Sequence, residues 1–145
     1  LFSKDKKSFA FLFDMNVLFE KFIAKIVQSI DESAKIQNRD NFADLTLKPD
    51  ILLQHLIIDT KYKKIRSISD IKQSDKYQAF AYGIIYDIKN VMLLYPKHLD
   101  DVNKDLFLGS EDKNVKLKIK CIELNFNKNH NEYIETIKYK VRELV

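Results

Sequence analysis

The spacing of apolar residues predicts an amphipathic helix early in the chain. From Asp14 onward, hydrophobic residues recur at steps of three and four, at Met15, Leu18, Phe19, Phe22, Ile23, Ile26 and Ile30. This spacing puts them on one stripe of a helix from about 15 to 31, with Asp14 as its N-cap. Residues 32–45 are more polar and fit either a short strand or a loop.

Strands and a second helix are predicted next. Two short apolar runs, 50–53 and 56–61, indicate strands separated by Gln54 and His55. The second contains three consecutive aliphatic residues (56–58), which is typical of a strand covered on both faces. Residues 75–88 form a helix pattern that is apolar nearly all round, so we expect this helix to be largely buried.

The remaining pattern completes an α/β fold. A buried strand is predicted at 91–95, before Pro96, and a strand–helix–strand order implies a right-handed crossover and a partly parallel sheet. Further on, Val115, Leu117 and Ile119 alternate with lysines, which indicates a half-exposed strand. Residues 133–144 look like a terminal amphipathic helix. We therefore predict a mixed β-sheet flanked by helices, in a single domain over 1–145.

Composition narrows the class of protein. The chain has 145 residues, of which 46% are hydrophobic, and this proportion excludes intrinsic disorder. No apolar run approaches the roughly 20 residues that a membrane span needs. A single cysteine excludes an internal disulfide and a cysteine-rich zinc site, so we expect a cytoplasmic protein. Two glycines exclude a P-loop and a Rossmann fingerprint. Because the chain starts at Leu1, we expect a fragment of a longer protein.

The net charge of +4 is concentrated in one segment. Residues 61–76 hold six basic and two acidic residues, whereas the remainder of the chain holds nineteen of each. A local basic segment of this kind favours an anionic partner such as nucleic acid. The alternative is an ordinary lysine-rich loop in contact with solvent.

Three residues in the predicted hairpin suggest chemistry. If the hairpin is centred between Gln54 and His55, Asp50 faces Asp59, and Lys61 lies on the same face as Asp59. Gln-His is a poor two-residue turn, so a bulge could shift this register. In the centred register, two carboxylates and a lysine converge on one side of the sheet.

Two facing carboxylates need a shared proton, a cationic partner or a metal ion. An all-oxygen acidic pair suits Mg²⁺ or Mn²⁺. A lysine beside it could orient an attacking water or stabilise negative charge that develops in a transition state. The alternative is that Asp50 is a surface residue near a turn and that Asp59 and Lys61 form a simple ion pair.

Three further residues could contribute to the same site. Glu20 falls at the edge of the first helix's apolar stripe, where it could serve as an extra metal ligand or could be solvated. Gln78 and Tyr82 share a face of the second helix because they are four residues apart. A buried glutamine needs hydrogen-bond partners and could position a carboxylate or phosphate, whereas core packing accounts equally well for the tyrosine.

The ordered pattern of these residues resembles a known nuclease family. Pro-Asp at 49–50 followed by Asp-Thr-Lys at 59–61 is similar to the PD-(D/E)xK signature, and residues 78–82 resemble the Gln-x-x-x-Tyr motif of its RecB-like branch. Five blocks in order look like the nuclease domain of the McrC/LlaJI family, namely residues 13–20, 49–51, 59–63, 75–78 and 93–96. The resemblance covers about 9–97, and residues 98–145 form a strand-and-helix extension that adds little to it.

The resemblance implies a function and a set of roles. It implies a PD-(D/E)xK fold and a Mg²⁺-dependent endodeoxyribonuclease of a restriction system driven by an AAA+ GTPase motor. Asp50 and Asp59 would bind the metal together with the Thr60 carbonyl and Glu20, and Mn²⁺ could substitute for Mg²⁺. Lys61 would be the catalytic lysine. Gln78 and Tyr82 would be auxiliary residues. Independently of the resemblance, the basic segment 61–76 predicts that Lys63, Lys64 and Arg66 contact DNA.

The expected partners are double-stranded DNA and a McrB-like motor, the latter mainly through regions absent from this chain. The chain could also act as a dimer, since cutting both strands of DNA usually requires two active sites. No membrane partner is expected. Two other functions stay open. One is a catalytically silent module for DNA binding or assembly with the same fold. The other is a structure-specific nuclease or resolvase.

Overall fold

The computed structural model describes residues 14–145 as three α-helices around a six-stranded mixed sheet. The helices are α1 (Met15–Ile30), α2 (Gln73–Ile85) and α3 (His130–Leu144), and a short 3₁₀ helix spans Ile68–Asp70. The strands of the sheet are β1 (Lys35–Ile36), β4 (Ile51–Leu52), β5 (Ile57–Thr60), β6 (Asn90–Pro96), β7 (Lys104–Gly109) and β8 (Asn114–Ile122). They lie side by side in the order β1-β4-β5-β6-β8-β7. The predicted mixed α/β fold is confirmed.

The central strands are covered on both faces, as the aliphatic run at 56–58 predicted. On β6, Met92 and Leu94 pack in a core with α1 and α3, whereas Val91 and Leu93 pack in a second core with α2. Strand β5 divides in the same way, with Ile58 in the first core and the residue before it in the second. This alternation follows from the two-residue period of a strand. Asp59 and Thr60, which follow on the same strand, belong to neither core.

The hairpin register agrees with the centred prediction. Strand β4 pairs antiparallel with β5 through Ile51–Ile58 and Leu52–Ile57. The turn is closed by a hydrogen bond of 2.9 Å from the Leu53 N–H to the Leu56 carbonyl. The Gln-His turn therefore adds no bulge, and Asp50 lies just before β4 on the side where β5 carries Asp59.

The second helix is less buried than its pattern predicted. The structure buries four residues of α2 and leaves Tyr77 67% exposed, because the helix covers only one face of the sheet. The helix also ends earlier than the predicted 88, since Asp87 adopts a left-handed backbone with φ of 53°. It connects β5 to β6, which pair in parallel, so the predicted partly parallel sheet is confirmed.

Residues 32–45 and the C-terminal region contain more strand than the sequence indicated. A separate hairpin is formed by β2 (Asp40–Phe42) and β3 (Leu45–Leu47). Strand β8 shows the predicted alternation and lies between β6 and β7, parallel to β6. Strand β7 was not predicted, because 104–109 carries only a weak apolar pattern. Helix α3 confirms the predicted C-terminal helix, with Asn129 accepting a hydrogen bond from the Glu132 N–H as its N-cap.

The first helix matches its prediction within one residue. Asp14 occupies the N-cap position, but its side chain makes no capping hydrogen bond. The first residues of the region that resembles the McrC/LlaJI family, 9–13, lie outside the described residues. Within 14–145, no helix has the length and apolar character needed to cross a membrane.

Candidate active site

The Asp50 carboxylate is held against the end of β5 by Thr60. Asp50 Oδ2 accepts hydrogen bonds from the Thr60 backbone N–H at 2.7 Å and from its hydroxyl at 2.8 Å. Even so, burial, and secondly the charge of Asp59, raise the pKa of Asp50 to about 6. The folded chain therefore carries an acidic pair whose charges are incompletely compensated.

Asp59 and Lys61 form a close pair on one face of the chain. Lys61 Nζ lies 2.6 Å from Asp59 Oδ2, and the Asp59 residue is only 5% exposed. Burial raises the pKa of Asp59, although the lysine opposes that shift. For Lys61, burial acts to lower the pKa, but the charges of Asp59, Asp75 and Asp50 outweigh it and the net direction is upward. Lys61 thus remains an ammonium group at neutral pH.

The donor chemistry of this group fits a hard divalent cation. Among the described residues, no donor forms a well-directed hydrogen bond to Asp59 Oδ2, although Lys61 Nζ lies beside it as an ion-pair partner. Within 14–145, no group of three or more His, Cys, Asp or Glu side chains stands arranged to hold a metal ion. Mg²⁺ commonly uses one or two carboxylates and takes its other ligands from water and phosphate. The Asp50 and Asp59 carboxylates are compatible with that kind of coordination, since the buried Asp59 oxygen has only Lys61 beside it.

Glu20 approaches the acidic pair from α1. Its carboxylate is half-buried, and its charge contributes to raising the pKa values of both Asp50 and Asp59. Glu20 Oε1 accepts a hydrogen bond from the side-chain amide of Gln37. The backbone N–H of Gln37 donates to the Asp50 carbonyl at 2.9 Å. One residue therefore links the helix-borne glutamate to the segment that carries the first aspartate.

Gln78 and Tyr82 form a chain of hydrogen bonds on α2. Gln78 Oε1 accepts a hydrogen bond from Lys61 Nζ at 3.5 Å, and its Nε2 donates to the Tyr82 hydroxyl at 3.0 Å. That hydroxyl donates to the Lys48 carbonyl at 3.1 Å. Burial, and then the charge of Asp59, raise the pKa of Tyr82 to about 12, so it stays protonated as a donor. Gln78 itself is exposed, and the expectation that it is buried is wrong.

Asp75 is a site residue that the sequence reasoning did not single out. It lies in the first turn of α2 and is only 9% exposed. Its Oδ1 lies 3.5 Å from Lys61 Nζ, and its Oδ2 lies 3.3 Å from Lys63 Nζ. The available signal was its spacing, since Asp75, Gln78 and Tyr82 follow a three-and-four step on one helical face. Lys61 therefore lies between carboxylates from two different elements.

The three basic residues expected to contact DNA differ in their surroundings. Lys63 is engaged internally with Asp75, and its Nζ lies 5.8 Å from the centre of the Tyr95 ring. Lys64 and Arg66 are exposed. The Thr60 carbonyl, expected as a metal ligand, stays a prediction.

These features define a class of protein, namely a mixed α/β domain with an acidic pair and a lysine at the carboxyl edge of two parallel strands. A family model described as McrBC 5-methylcytosine restriction system component matches residues 1–96. The chain therefore belongs to that family, and its resemblance to McrC-type subunits is confirmed. The narrower LlaJI and PD-(D/E)xK assignments stay predictions. No curated protein sequence matches the chain.

A solved structure supports the fold. The chain is similar to one in the refined half-complex from a tetradecameric assembly of Thermococcus gammatolerans McrB AAA+ hexamers with bound McrC, with a TM-score of 0.62. Sequence identity is 15%, so this likeness concerns the fold alone. The match covers 90% of this chain and 33% of that chain, so the chain spans about a third of that relative's length.

Proposed function

We propose that this chain is a metal-dependent endonuclease domain of an McrBC-like restriction system that hydrolyses phosphodiester bonds in double-stranded DNA. Membership of the McrBC family supports the restriction context. The observation that carries the nuclease proposal is the convergence of Asp50, Asp59 and Lys61 at the end of β5. Two carboxylates and an ammonium group that converge at the end of one strand are a combination suited to hydrolysing a phosphodiester.

The carboxylates are proposed to hold the metal. Asp50 and Asp59 would hold Mg²⁺ or Mn²⁺ as its two carboxylate ligands, with the Thr60 carbonyl beside them. Glu20 forms no three-carboxylate cluster with them among residues 14–145 and would complete the site only when the ion binds. The bound ion would supply Lewis-acid activation of water and neutralisation of phosphate charge. The raised pKa of Asp50 supports this role, since a bound cation relieves repulsion between the two aspartates.

Lys61 is proposed to stabilise charge on the reacting phosphate. Because neighbouring carboxylates raise its pKa, it is suited to donate hydrogen bonds to phosphate oxygens as they become more negative. It is poorly suited to remove a proton from water. Asp75 and Gln78 limit where its ammonium group can lie, which favours a fixed orientation.

The motor partner is also part of the proposal. The solved relative's description names McrB AAA+ hexamers with bound McrC, which supports a McrB-like partner for this chain. Co-elution of the chain with a McrB-like subunit in size-exclusion chromatography would test this directly. Separate elution at micromolar concentrations would show that this segment does not suffice for the contact.

Cleavage of supercoiled plasmid in Mg²⁺ tests the catalytic roles. We expect Asp59→Asn and Lys61→Ala to lower the rate by at least about 100-fold, the order of loss seen when a transition-state contact is removed. Asp100→Asn provides a matched control, because Asp100 is an exposed aspartate in the loop after β6. Circular dichroism verifies that each variant is folded. If Asp59→Asn and Lys61→Ala cleave the plasmid as fast as Asp100→Asn, the proposal is overturned.

Calorimetric titration with Mn²⁺ separates the active enzyme from a silent module. We expect binding by the unsubstituted chain and its loss in Asp50→Asn. If the chain binds no Mn²⁺ or Mg²⁺, or if binding survives Asp50→Asn unchanged, the catalytically silent alternative is favoured.

A further inference from the structure

A basic groove lies beside the candidate active site. It has a volume of about 360 Å³ and is formed mainly by the segments that follow the parallel strands β5 and β6. Its lining residues are Tyr62, Lys63, Lys64, Pro96, Lys97, His98, Leu124 and Asn125. Neither segment alone makes the groove, which explains why the linear sequence did not reveal it.

The side chains that line the groove include positive charges and no negative ones. Three of its eight lining residues are lysines, and none of these eight is Asp or Glu. A neighbouring cavity, which also includes Lys97, is lined by Asp101, Glu123 and Glu143 and so lacks this bias. Within the groove, Lys63 is paired with Asp75. Lys64 is exposed, and Lys97 Nζ lies 3.8 Å from a Glu123 carboxylate oxygen, near the outer limit of an ion pair. Lys64 and Lys97 are therefore the cations best able to take a new anionic partner.

The walls of the groove are fixed to the catalytic residues. The Lys61 N–H donates to the Leu94 carbonyl at 2.9 Å, which joins the ends of the two parallel strands. The Tyr62 N–H donates to Asn16 Oδ1 at 3.2 Å, and the Tyr62 ring lies 5.8 Å from that of Phe19. Lys61 itself does not line the groove, but the groove begins at the next residue, Tyr62, so a chain bound there would lie close to the end of β5 that carries the candidate active site.

We propose that this groove binds phosphates of the DNA backbone that flank the phosphodiester to be cut. The inference rests on the proposed nuclease function and adds the path of one DNA strand to it. It also changes the expected DNA contacts, since Arg66 does not line the groove and Lys97 and His98 join Lys64. Cations that neutralise backbone phosphates supply sequence-independent affinity and hold the duplex in register.

Fluorescence anisotropy with a labelled DNA duplex in EDTA tests the groove separately from catalysis. The variant Lys64→Gln/Lys97→Gln is compared with Lys89→Gln/Lys113→Gln. Both control lysines are exposed, and they immediately precede β6 and β8. They therefore lie at the starts of these strands, whereas the groove lies at the strand ends. We expect the groove variant to bind about tenfold more weakly and its salt slope to fall by up to about 1.8, or roughly 0.9 per lost phosphate contact. The control and Arg66→Gln should match the unsubstituted chain.

The outcomes distinguish the groove from the nuclease. If the groove variant keeps the affinity and salt slope of the control, or if the unsubstituted chain binds no duplex, the groove proposal is overturned. If binding depends on the groove but Mg²⁺ supports no cleavage, the groove stands and the nuclease proposal fails. If the groove variant has the same salt slope as the control and the chain still cleaves DNA in Mg²⁺, the nuclease proposal stands and the groove proposal fails. Thermal unfolding of all variants verifies that the substitutions leave the fold intact.

Discussion

At the scale of single residues, some side chains of the candidate site could be predicted from their spacing in the sequence, and others could not. Asp50, Asp59 and Lys61 could be brought together because a two-residue turn and a two-residue strand period fix their relative positions. Asp75 and Gln37 reach the site through packing between elements distant in the chain, which no local period encodes. Nothing in the sequence indicated that Lys63 would form an ion pair with Asp75 of the same chain.

The Asp50 carboxyl group should make the stability of the metal-free chain depend on pH. Its folded pKa of about 6 lies above the ordinary aspartate value of 3.8, so the folded state holds the proton more tightly than the unfolded state. Its contribution to stability is therefore full below pH 3.8 and is lost as the pH rises through 6. We expect Asp50→Asn to raise the free energy of unfolding at pH 8, by at most about 3 kcal/mol. The asparagine carbonyl can still accept the Thr60 hydrogen bonds.

Urea unfolding in EDTA at pH 5 and pH 8 measures this effect. The gain from Asp50→Asn should be larger at pH 8, whereas Asp100→Asn should change stability equally at both pH values. A gain that is independent of pH would mean that Asp50 is an ordinary carboxylate in the folded chain.

Gln37 should influence metal binding without contacting the metal. It has a left-handed backbone with φ of 48°, and it bonds both Glu20 and the Asp50 carbonyl. Asparagine tolerates this backbone but is one methylene shorter. We expect Gln37→Asn to keep its melting temperature within a few degrees yet to weaken Mn²⁺ binding to a similar extent as Glu20→Gln. In the double variant the two losses should be less than additive. Fully additive losses in calorimetry would show that Gln37 acts independently of Glu20.

At the scale of elements, hydrophobic periodicity identified the three α-helices of residues 14–145 but could not show how each one packs. The apolar residues of α2 suggested burial on all sides, yet the helix lies on one face of the sheet and exposes Tyr77. Strand β7 was missed because its burial comes from pairing with β8 rather than from its own pattern. Local pattern thus predicts that an element exists, and its neighbours determine which face is covered.

The close approach of α2 to β8 should make Gly83 hard to replace. A Cβ atom there would lie 2.5 Å and 2.7 Å from the two Cγ atoms of Val115 and 3.1 Å from the Ile88 carbonyl oxygen. Alanine would gain up to about 1 kcal/mol in helix propensity, but overpacking costs about 1–3 kcal/mol. We expect Gly83→Ala to destabilise the chain by about 1 kcal/mol in urea unfolding.

Trimming the opposing side chain should partly reverse that loss. Val115→Ala alone destabilises by leaving a cavity, whereas in combination with Gly83→Ala the added methyl occupies part of the space. The coupling energy should therefore be favourable. If Gly83→Ala is as stable as the unsubstituted chain, α2 can move away from β8 at little cost. Cleavage by the same variant would then show whether that movement disturbs Gln78.

At the scale of the whole molecule, charge placement matters more than charge total. The basic excess of 61–76 supplies Lys61 and Lys63, which carboxylates of the same domain partly neutralise. Lys97 lies outside that segment and lines the groove together with Lys64. A net charge of +4 therefore does not identify the surface for a polyanion. The surface that we propose for DNA lies instead where the ends of the two parallel strands β5 and β6 meet.

The C-terminal region should be required for the sheet to fold at all. The family model ends at residue 96, but β8 pairs with β6 from Asn90 to Pro96 and contributes Leu117 and Ile119 to the core. Helix α3 adds Ile137 and Val141 to the core on the other face. Removing 98–145 would expose one edge of β6 and parts of both cores. We expect the chain truncated after residue 97 to lack cooperative urea unfolding and dispersed amide resonances, both of which the full chain should show. A truncated chain with a sharp transition would mean that 14–97 folds independently and that β7, β8 and α3 are an added layer.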